Sequence, residues 1–556
     1  MSAGAATDRP RAGSPGAADP AETARPAAGT SAAARAGAGR AAGRPDEVIV
    51  GPADVTAADV VAVARYDARV RLAPAALEAM AASRRVIDDL AASPVPAYGI
   101  STGFGALATR HITPDLRAKL QLSLIRSHAA GLGNPVEREV VRGLMFLRLK
   151  TLASGHTGIR PVVAETLAAL LNAGITPVVP EHGSLGCSGD LAPLAHCALV
   201  LIGEGEARTQ QNETVPGALA LERAGIAPVS LEAKEGLALI NGTDGMLGML
   251  ILACEDLAAL CRAADLIAAM SVEALLGTDQ VFLPELHLPL RPHPGQAASA
   301  DNMLRVLAGS QIVASHRDGD TRVQDAYSLR CAPQVTGAVR DTVAHAEAVA
   351  TRELAAAIDN PVVLSDGRVS SNGNFHGAPI AYVLDFLAIA VADLGSMAER
   401  RTDRLLDPAR SGGLPPFLAH DPGVDSGLMI AQYTQAAMVA ENKRLASPAS
   451  VDSIPSSAMQ EDHVSMGWGA ARKLRSALAN LRRILAVELV TAARAIDLRA
   501  PLQASPATAA AIAELRRSVP GPEADRFLAP ELAAAEELLQ GAGLVDAVTA
   551  VVGELG

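Results

Sequence analysis

The stretch Gly183-Ser-Leu-Gly-Cys-Ser-Gly-Asp-Leu-Ala-Pro-Leu-Ala-His196 carries the most informative chemistry in the 556-residue chain. Three readings of it are open. In the first it is a tight loop before a helix, with Asp190 as N-cap and Pro193 in the first turn. In the second, Ser188 or Cys187 is a nucleophile served by a distant histidine. No G-x-S-x-G elbow surrounds Ser188, however, and Gly99-Ile-Ser-Thr-Gly103, which fits that pattern, has no strand-like run leading into it. In the third, Ser188 is a precursor. If the Gly189 amide nitrogen attacks the Cys187 carbonyl, a five-membered imidazolone closes with loss of one water. Loss of the Ser188 hydroxyl as a second water leaves an exocyclic methylidene, which is an electrophile. Such a closure needs glycine at the third position, because a Cβ would crowd the attack, and a leaving hydroxyl at the second. The first residue lends only its carbonyl, so its side chain is free to vary.

This segment resembles the prosthetic-group loop of the histidine and aromatic amino acid ammonia-lyases, in which Ala is usual where this chain has Cys187. Further matching segments are Tyr98-Gly-Ile-Ser-Thr-Gly-Phe-Gly105, Arg126-Ser-His-Ala-Ala-Gly131, Asn241-Gly-Thr243 and Gln324-Asp-Ala-Tyr-Ser-Leu-Arg-Cys331. Ser371-Asn-Gly-Asn-Phe-His376, Ala440-Glu-Asn-Lys443 and Met459-Gln-Glu-Asp-His-Val-Ser465 complete a set that runs from about residue 48 to the C-terminus. The resemblance implies 4-methylidene-imidazol-5-one, formed autocatalytically from Cys187, Ser188 and Gly189. Eliminating ammonia from an amino acid removes a weakly acidic Cβ proton and expels a poor leaving group. An electrophile that captures the amine or the ring eases one or both steps, and amine capture is favoured because it improves the leaving group directly.

The same resemblance implies roles for single residues. Tyr98 matches the base that takes the β-proton, against a plain reading as a packed loop aromatic. Tyr327 matches a tyrosine of proton handling and ring formation. Arg330 would fork the substrate carboxylate, against a surface ion pair. Asn241 and Gln324 would give neutral hydrogen bonds near that carboxylate and the imidazolone oxygen. Phe375 would pack on the prosthetic group, although a lone Phe is by default core. His376, Gln460 and His463 read equally as scaffolding or direct contacts. Two positions point to the substrate. Ser127-His128 replaces the Phe-Leu and His-Leu pairs of phenylalanine- and tyrosine-selective relatives, and Glu441 stands where aromatic lyases carry Asn. A buried imidazole needs partners for both ring nitrogens, whereas a carboxylate facing phenyl would be unpaired. Glu441 could also lie solvated beside Lys443 and Arg444. The expected reaction is deamination of L-histidine to trans-urocanate and ammonia, the opening step of histidine degradation. A phenylalanine or tyrosine lyase, an aminomutase and a non-catalytic helical assembly protein are the rivals.

Such residues, spread from Tyr98 to Glu441, need long elements to bring them together. The chain is 49% hydrophobic but only 2% aromatic and rich in Ala, which favours close helix-on-helix packing and a mainly α fold. From 47 to 237, Gly and Pro breaks indicate a loop-rich prosthetic-group domain. From 238 to 556 the periodicity lengthens into a long-helix bundle domain. Its clearest helix runs from about His463 to Leu498, with Leu474, Leu478, Leu481, Ile484 and Leu485 spaced by three and four. Helices of that length suit packing between subunits, so a homotetramer with shared active sites is expected. Residues 1–46 lack Leu, Ile, Val and aromatics and read as a disordered Ala/Gly/Pro/Arg-rich tail without a secretory signal. A formal charge of -12 argues against a nucleic-acid footprint. No uncharged apolar run approaches the roughly 18 to 20 residues of a membrane span. Five scattered cysteines suggest a reduced, cytoplasmic protein, and the twelve histidines form no H-E-x-x-H or Cys/His metal motif.

Overall fold

Apolar residues at helical spacing set the architecture, which the computed structural model describes for residues 45–51 and 55–556. The expected tail lies outside the described residues except for its last two. The chain is mainly α. Its strands, among the described residues, make only small sheets of two or three short strands, such as Glu47–Val50 beside Arg69–Leu72 in parallel register.

The helices that position the site enter in order. Helix α1 (Ala57–Tyr66) starts on a capping box in which Thr56 and Asp59 exchange hydrogen bonds. Helix α2 (Arg117–His128) ends on a histidine, and α3 (Arg138–Ala153) is buried over most of its length. Helix α4 (Leu191–Leu201) follows the glycine-rich loop, and the short α5 (Glu235–Ile240) leads into α6 (Asp244–Ala274). Beyond them come α7 (Tyr327–Arg330), α8 (Ala332–Ala355), α9 (Ala378–Leu406), α10 (Met429–Leu445) and α11 (Gly467–Asp497).

Helix α11 is 31 residues long, a span of about 46 Å at 1.5 Å per residue. It buries Leu474, Leu478, Leu481, Ile484 and Leu485 against α6, α9 and α10 and turns Arg483 outward to Glu536. One apolar cluster runs continuously from Val48 to Leu555, so the loop-rich first part and the long helices share a core across residue 237. Helix α9 alone among the described residues is long and apolar enough, by length and composition, to cross a membrane. Asp385 and Asp393 interrupt its uncharged run, which is why no such span stands out in the sequence. Here it lies mostly buried along α11, where Asp385 binds Lys473 at 2.8 Å and accepts from the Ser450 amide at 2.7 Å.

Candidate functional site

The glycine-rich loop folds on itself between Gly186 and Gly189, which pair as an isolated bridge. Ser188 sits at φ +52°, a left-handed conformation that costs a non-glycine residue roughly 1–3 kcal/mol. Gly189, at φ +80°, lies so close to Gly242 that a Cβ there would stand 2.1 Å from the Gly242 carbonyl oxygen. Only glycine fits. Ser188 Oγ donates to Asn241 Oδ1 at 2.6 Å, and Asn241 Nδ2 donates to the Asn360 carbonyl at 2.7 Å. Asn241 ends α5 and is buried.

Asp190 stands at the N-cap position of α4, yet its carboxylate does not cap that helix. It accepts instead from the Gly245 and Met246 amides at 3.0 and 2.9 Å, capping α6, and from Ser184 Oγ at 3.1 Å. Burial pushes its carboxyl up to about 7 against the pull of those hydrogen bonds. The Cys187 thiol is half-buried, and burial with the nearby Glu461 carboxylate pushes it up to about 11. It is therefore a thiol, not a thiolate, at neutral pH.

Two loops close over the turn. In the first, the half-buried Tyr98 accepts at its hydroxyl oxygen from the Gly105 amide at 3.3 Å. In the second, Ser456 Oγ donates to Glu461 at 2.9 Å and the Met466 amide donates to the Leu185 carbonyl at 3.0 Å. A Cβ on Gly105 would meet Ser457 Oγ at 2.7 Å and Glu461 at 3.6 Å, so the two loops touch. His128 Nδ1 lies 2.9 Å from the Leu124 carbonyl. That oxygen can only accept, so Nδ1 carries the proton and Nε2 is left as an acceptor. Desolvation lowers the His128 pKa, with the Leu124 carbonyl and Glu461 opposing it. His376 and His463 stack with centroids 5.5 Å apart, and Gly377 lies against Ser465, which brings the Phe375 segment to the same side.

The structure thus gathers Tyr98, His128, Cys187, Ser188, Gly189 and Asn241, with Phe375, His376 and His463 bordering them. Gln324, Tyr327 and Glu441 do not join them within one chain. Tyr327 is 71% exposed, Gln324 is exposed, and Glu441 lies on the outer side of α10 paired with Arg444 at 2.8 Å. Arg330 stacks over the Tyr327 ring at 4.7 Å, its Nε is buried without a partner, and no carboxylate pairs with it among the described residues. Glu461 is the acid that sequence reading passed over. It lies inside the matching Met459–Ser465 segment, and its place between Gln460 and His463 was the available signal.

A family model described as aromatic amino acid lyase matches residues 55–517. Histidine ammonia-lyase of Streptomyces avermitilis is 67% identical over 509 residues, covering 91% of this chain and 99% of the relative. Among solved structures, tyrosine aminomutase from Streptomyces globisporus is 38% identical with a TM-score of 0.86, covering 92% of this chain and 100% of its own. Histidine ammonia-lyase from Trypanosoma cruzi is also 38% identical, with a TM-score of 0.83, covering 91% of this chain and 96% of its own.

Proposed function

The chain belongs to the aromatic amino acid lyase family, and from that premise we propose that it deaminates L-histidine to trans-urocanate and ammonia. The 4-methylidene-imidazol-5-one that serves this family would form from Cys187, Ser188 and Gly189. The turn fits that group. Gly189 has no room for a Cβ, Ser188 presents its hydroxyl to one neutral acceptor, and the Cys187 side chain points its chemistry elsewhere, toward Glu461. In the closure the Gly189 nitrogen adds to the Cys187 carbonyl carbon. That carbonyl oxygen leaves as water with the amide protons of Ser188 and Gly189. Ser188 Oγ leaves as the second water with its own proton and the Cα proton. The finished group would supply an electrophilic carbon, and Tyr98 and Asn241 are the residues that would stand beside it.

The substrate reading rests on one observation: Glu461 and His128 stand together beside the tripeptide. His128 offers Nε2 as an acceptor and Glu461 offers a carboxylate. Two acceptors suit an imidazole ring that carries both its protons, and a protonated ring makes the β-hydrogens more acidic. A phenyl ring could donate to neither, leaving His128 Nε2 without a partner and adding nothing to the hydrogen bond that Glu461 accepts from Ser456. Tyr98, whose oxygen the Gly105 amide fixes in place, is the group to take the β-proton. Arg330 is a guanidinium paired with no acid among the described residues, as a carboxylate-binding residue should be.

Gln324, Tyr327, Arg330 and Glu441 would reach the tripeptide of another subunit in a homotetramer with shared sites. The exposed Tyr382, Phe386 and Ile389 on α9 support such an assembly. The five unpaired thiols suit the reducing cytoplasm. Purified protein incubated separately with L-His, L-Phe and L-Tyr tests the reaction. Urocanate absorbance should rise with L-histidine alone; a β-amino acid product, or phenylalanine turned over as well as histidine, overturns the reading.

A further inference from the structure

Asn241 fixes Ser188, yet nothing local fixes Asn241. It follows α5, a helix of only six residues that begins on Lys234 at φ +71°. So short a helix has no stability of its own and sits where tertiary contacts put it. Those contacts come from one buried polar device. Lys234 Nζ forms an ion pair with Asp359, and both side chains are fully buried. Asp359 Oδ1 accepts from the Asn360 amide at 2.8 Å, and the Asn360 carbonyl is the acceptor for Asn241 Nδ2. At the other end of α5, the Arg148 guanidinium of α3 donates to the Asn241 carbonyl at 2.7 Å and to the Ile358 carbonyl at 2.8 Å. The same two stretches of chain, 234–241 and 358–360, are therefore bolted together at both ends of α5.

The device decides which end of the Asn241 amide faces Ser188. With Nδ2 committed to the Asn360 carbonyl, Oδ1 has to turn to Ser188 Oγ. Were the 358–360 segment to shift, the amide could rotate and the serine hydroxyl would lose its one acceptor. Elimination of that hydroxyl depends on a fixed direction of the Cβ–Oγ bond, which a single hydrogen bond donated to a rigid acceptor imposes. A buried Lys–Asp pair is a poor way to gain stability, since apolar residues of similar volume commonly do as well. Burial also pulls the Lys234 ammonium below the ordinary lysine range, with Asp359 opposing it.

We propose that the buried Lys234–Asp359 pair, together with Arg148, positions the Asn241 amide against Ser188 and thereby sets how fast the tripeptide matures into the prosthetic group. These are positioning residues, remote from substrate, and the proposal rests on the precursor reading of Ser188. The test follows the intact mass of full-length chain made by cell-free synthesis, sampled over time, with near-ultraviolet absorbance and thermal stability measured alongside. The decisive variant is Lys234→Met/Asp359→Leu, in which no buried charge is left unpaired and only the Asn360 amide loses its acceptor, so that stability falls far less than when one member of the pair is removed. It should lose its two waters at least tenfold more slowly than the wild type. Asp265→Asn breaks a buried pair with Arg340 elsewhere and should lower stability while leaving maturation at the wild-type rate. If the double variant does not fold, Arg148→Lys takes its place, because a lysine keeps the charge but cannot span both carbonyls, and the same slowing is expected. Wild-type maturation speed in a folded double variant, or in Arg148→Lys where that stands in, overturns the proposal. Wild-type chain that never becomes lighter would instead overturn the precursor reading itself.

Discussion

Ser188 and Cys187 are neighbours in one turn, and the proposed closure gives them separate tasks. Ser188→Ala is expected to abolish activity, since without the hydroxyl no methylidene forms, and to remove the near-ultraviolet absorbance and one of the two lost waters. Cys187→Ala is expected to keep most activity, because closure uses only the carbonyl and burial with Glu461 keeps the sulfur protonated. Intact mass and turnover of both variants check this pair of outcomes. At the ring end, Glu461→Gln and His128→Leu should each lower histidine turnover by about 10²- to 10⁴-fold, the usual worth of a proton-handling group, with little change in melting temperature. His128 is held neutral by desolvation, so the acidic limb of its contribution should lie below that of an ordinary histidine. The need for glycine at position 189 was legible in the sequence because the proposed closure dictates residue types at adjacent positions, and the turn has no room there for a Cβ. Glu461 was not, because its neighbours Cys187 and His128 are remote in sequence and only folding brings them to it. Asp190 shows the same limit: its spacing marked a cap, and the carboxylate caps a different helix from the one it precedes.

Among elements, α11 could be read directly because apolar residues recur every third and fourth position over its whole length. Helix α5 could not, being shorter than two turns with a left-handed residue at its start. The elements are also tied by charge in a way that periodicity does not reveal. Glu139 on α3 binds Arg65 of α1 at 2.7 Å and also pairs with Arg475 of α11, while Arg65 binds Asp256 of α6 at 2.8 Å. Burial alone would raise the Glu139 pKa, but the two guanidiniums bring it down to about 2. A carboxylate whose folded pKa lies below its unfolded one stabilises the fold above the unfolded value, near 4.3, and loses that contribution as pH falls toward the folded value. Melting temperature should therefore decline from about pH 5 downward. Glu139→Gln should cost on the order of 2 kcal/mol at neutral pH, discounted for its remaining solvent contact, and flatten that acid decline. Thermal melts of both proteins across the acid range measure it; parallel declines would show that the network is not what acid breaks.

At the scale of the whole molecule, one chain does not bring all the proposed site residues together. Tyr327 and Glu441 are exposed, and Arg330 offers a guanidinium that pairs with no acid among the described residues. The same chain leaves Tyr382, Phe386 and Ile389 exposed at one-turn spacing along α9, with Ile430 and Tyr433 exposed on the adjoining α10. Exposed apolar side chains grouped in this way support the proposed assembly, in which long helices packed between copies would cover them while carrying Glu441 toward a neighbouring tripeptide. Light scattering should find a tetramer. Phe386→Arg should weaken it and lower activity at least tenfold at dilutions where the chain is monomeric. Complementation separates shared sites from mere association. Tyr98→Phe and Glu441→Gln should each be inactive alone, yet co-expressed they should recover activity, since some sites then combine an intact Tyr98 from one chain with an intact Glu441 from another. Recovery requires that the two residues come from different chains; a fully active monomer, or no recovery on co-expression, would place the whole site in one chain.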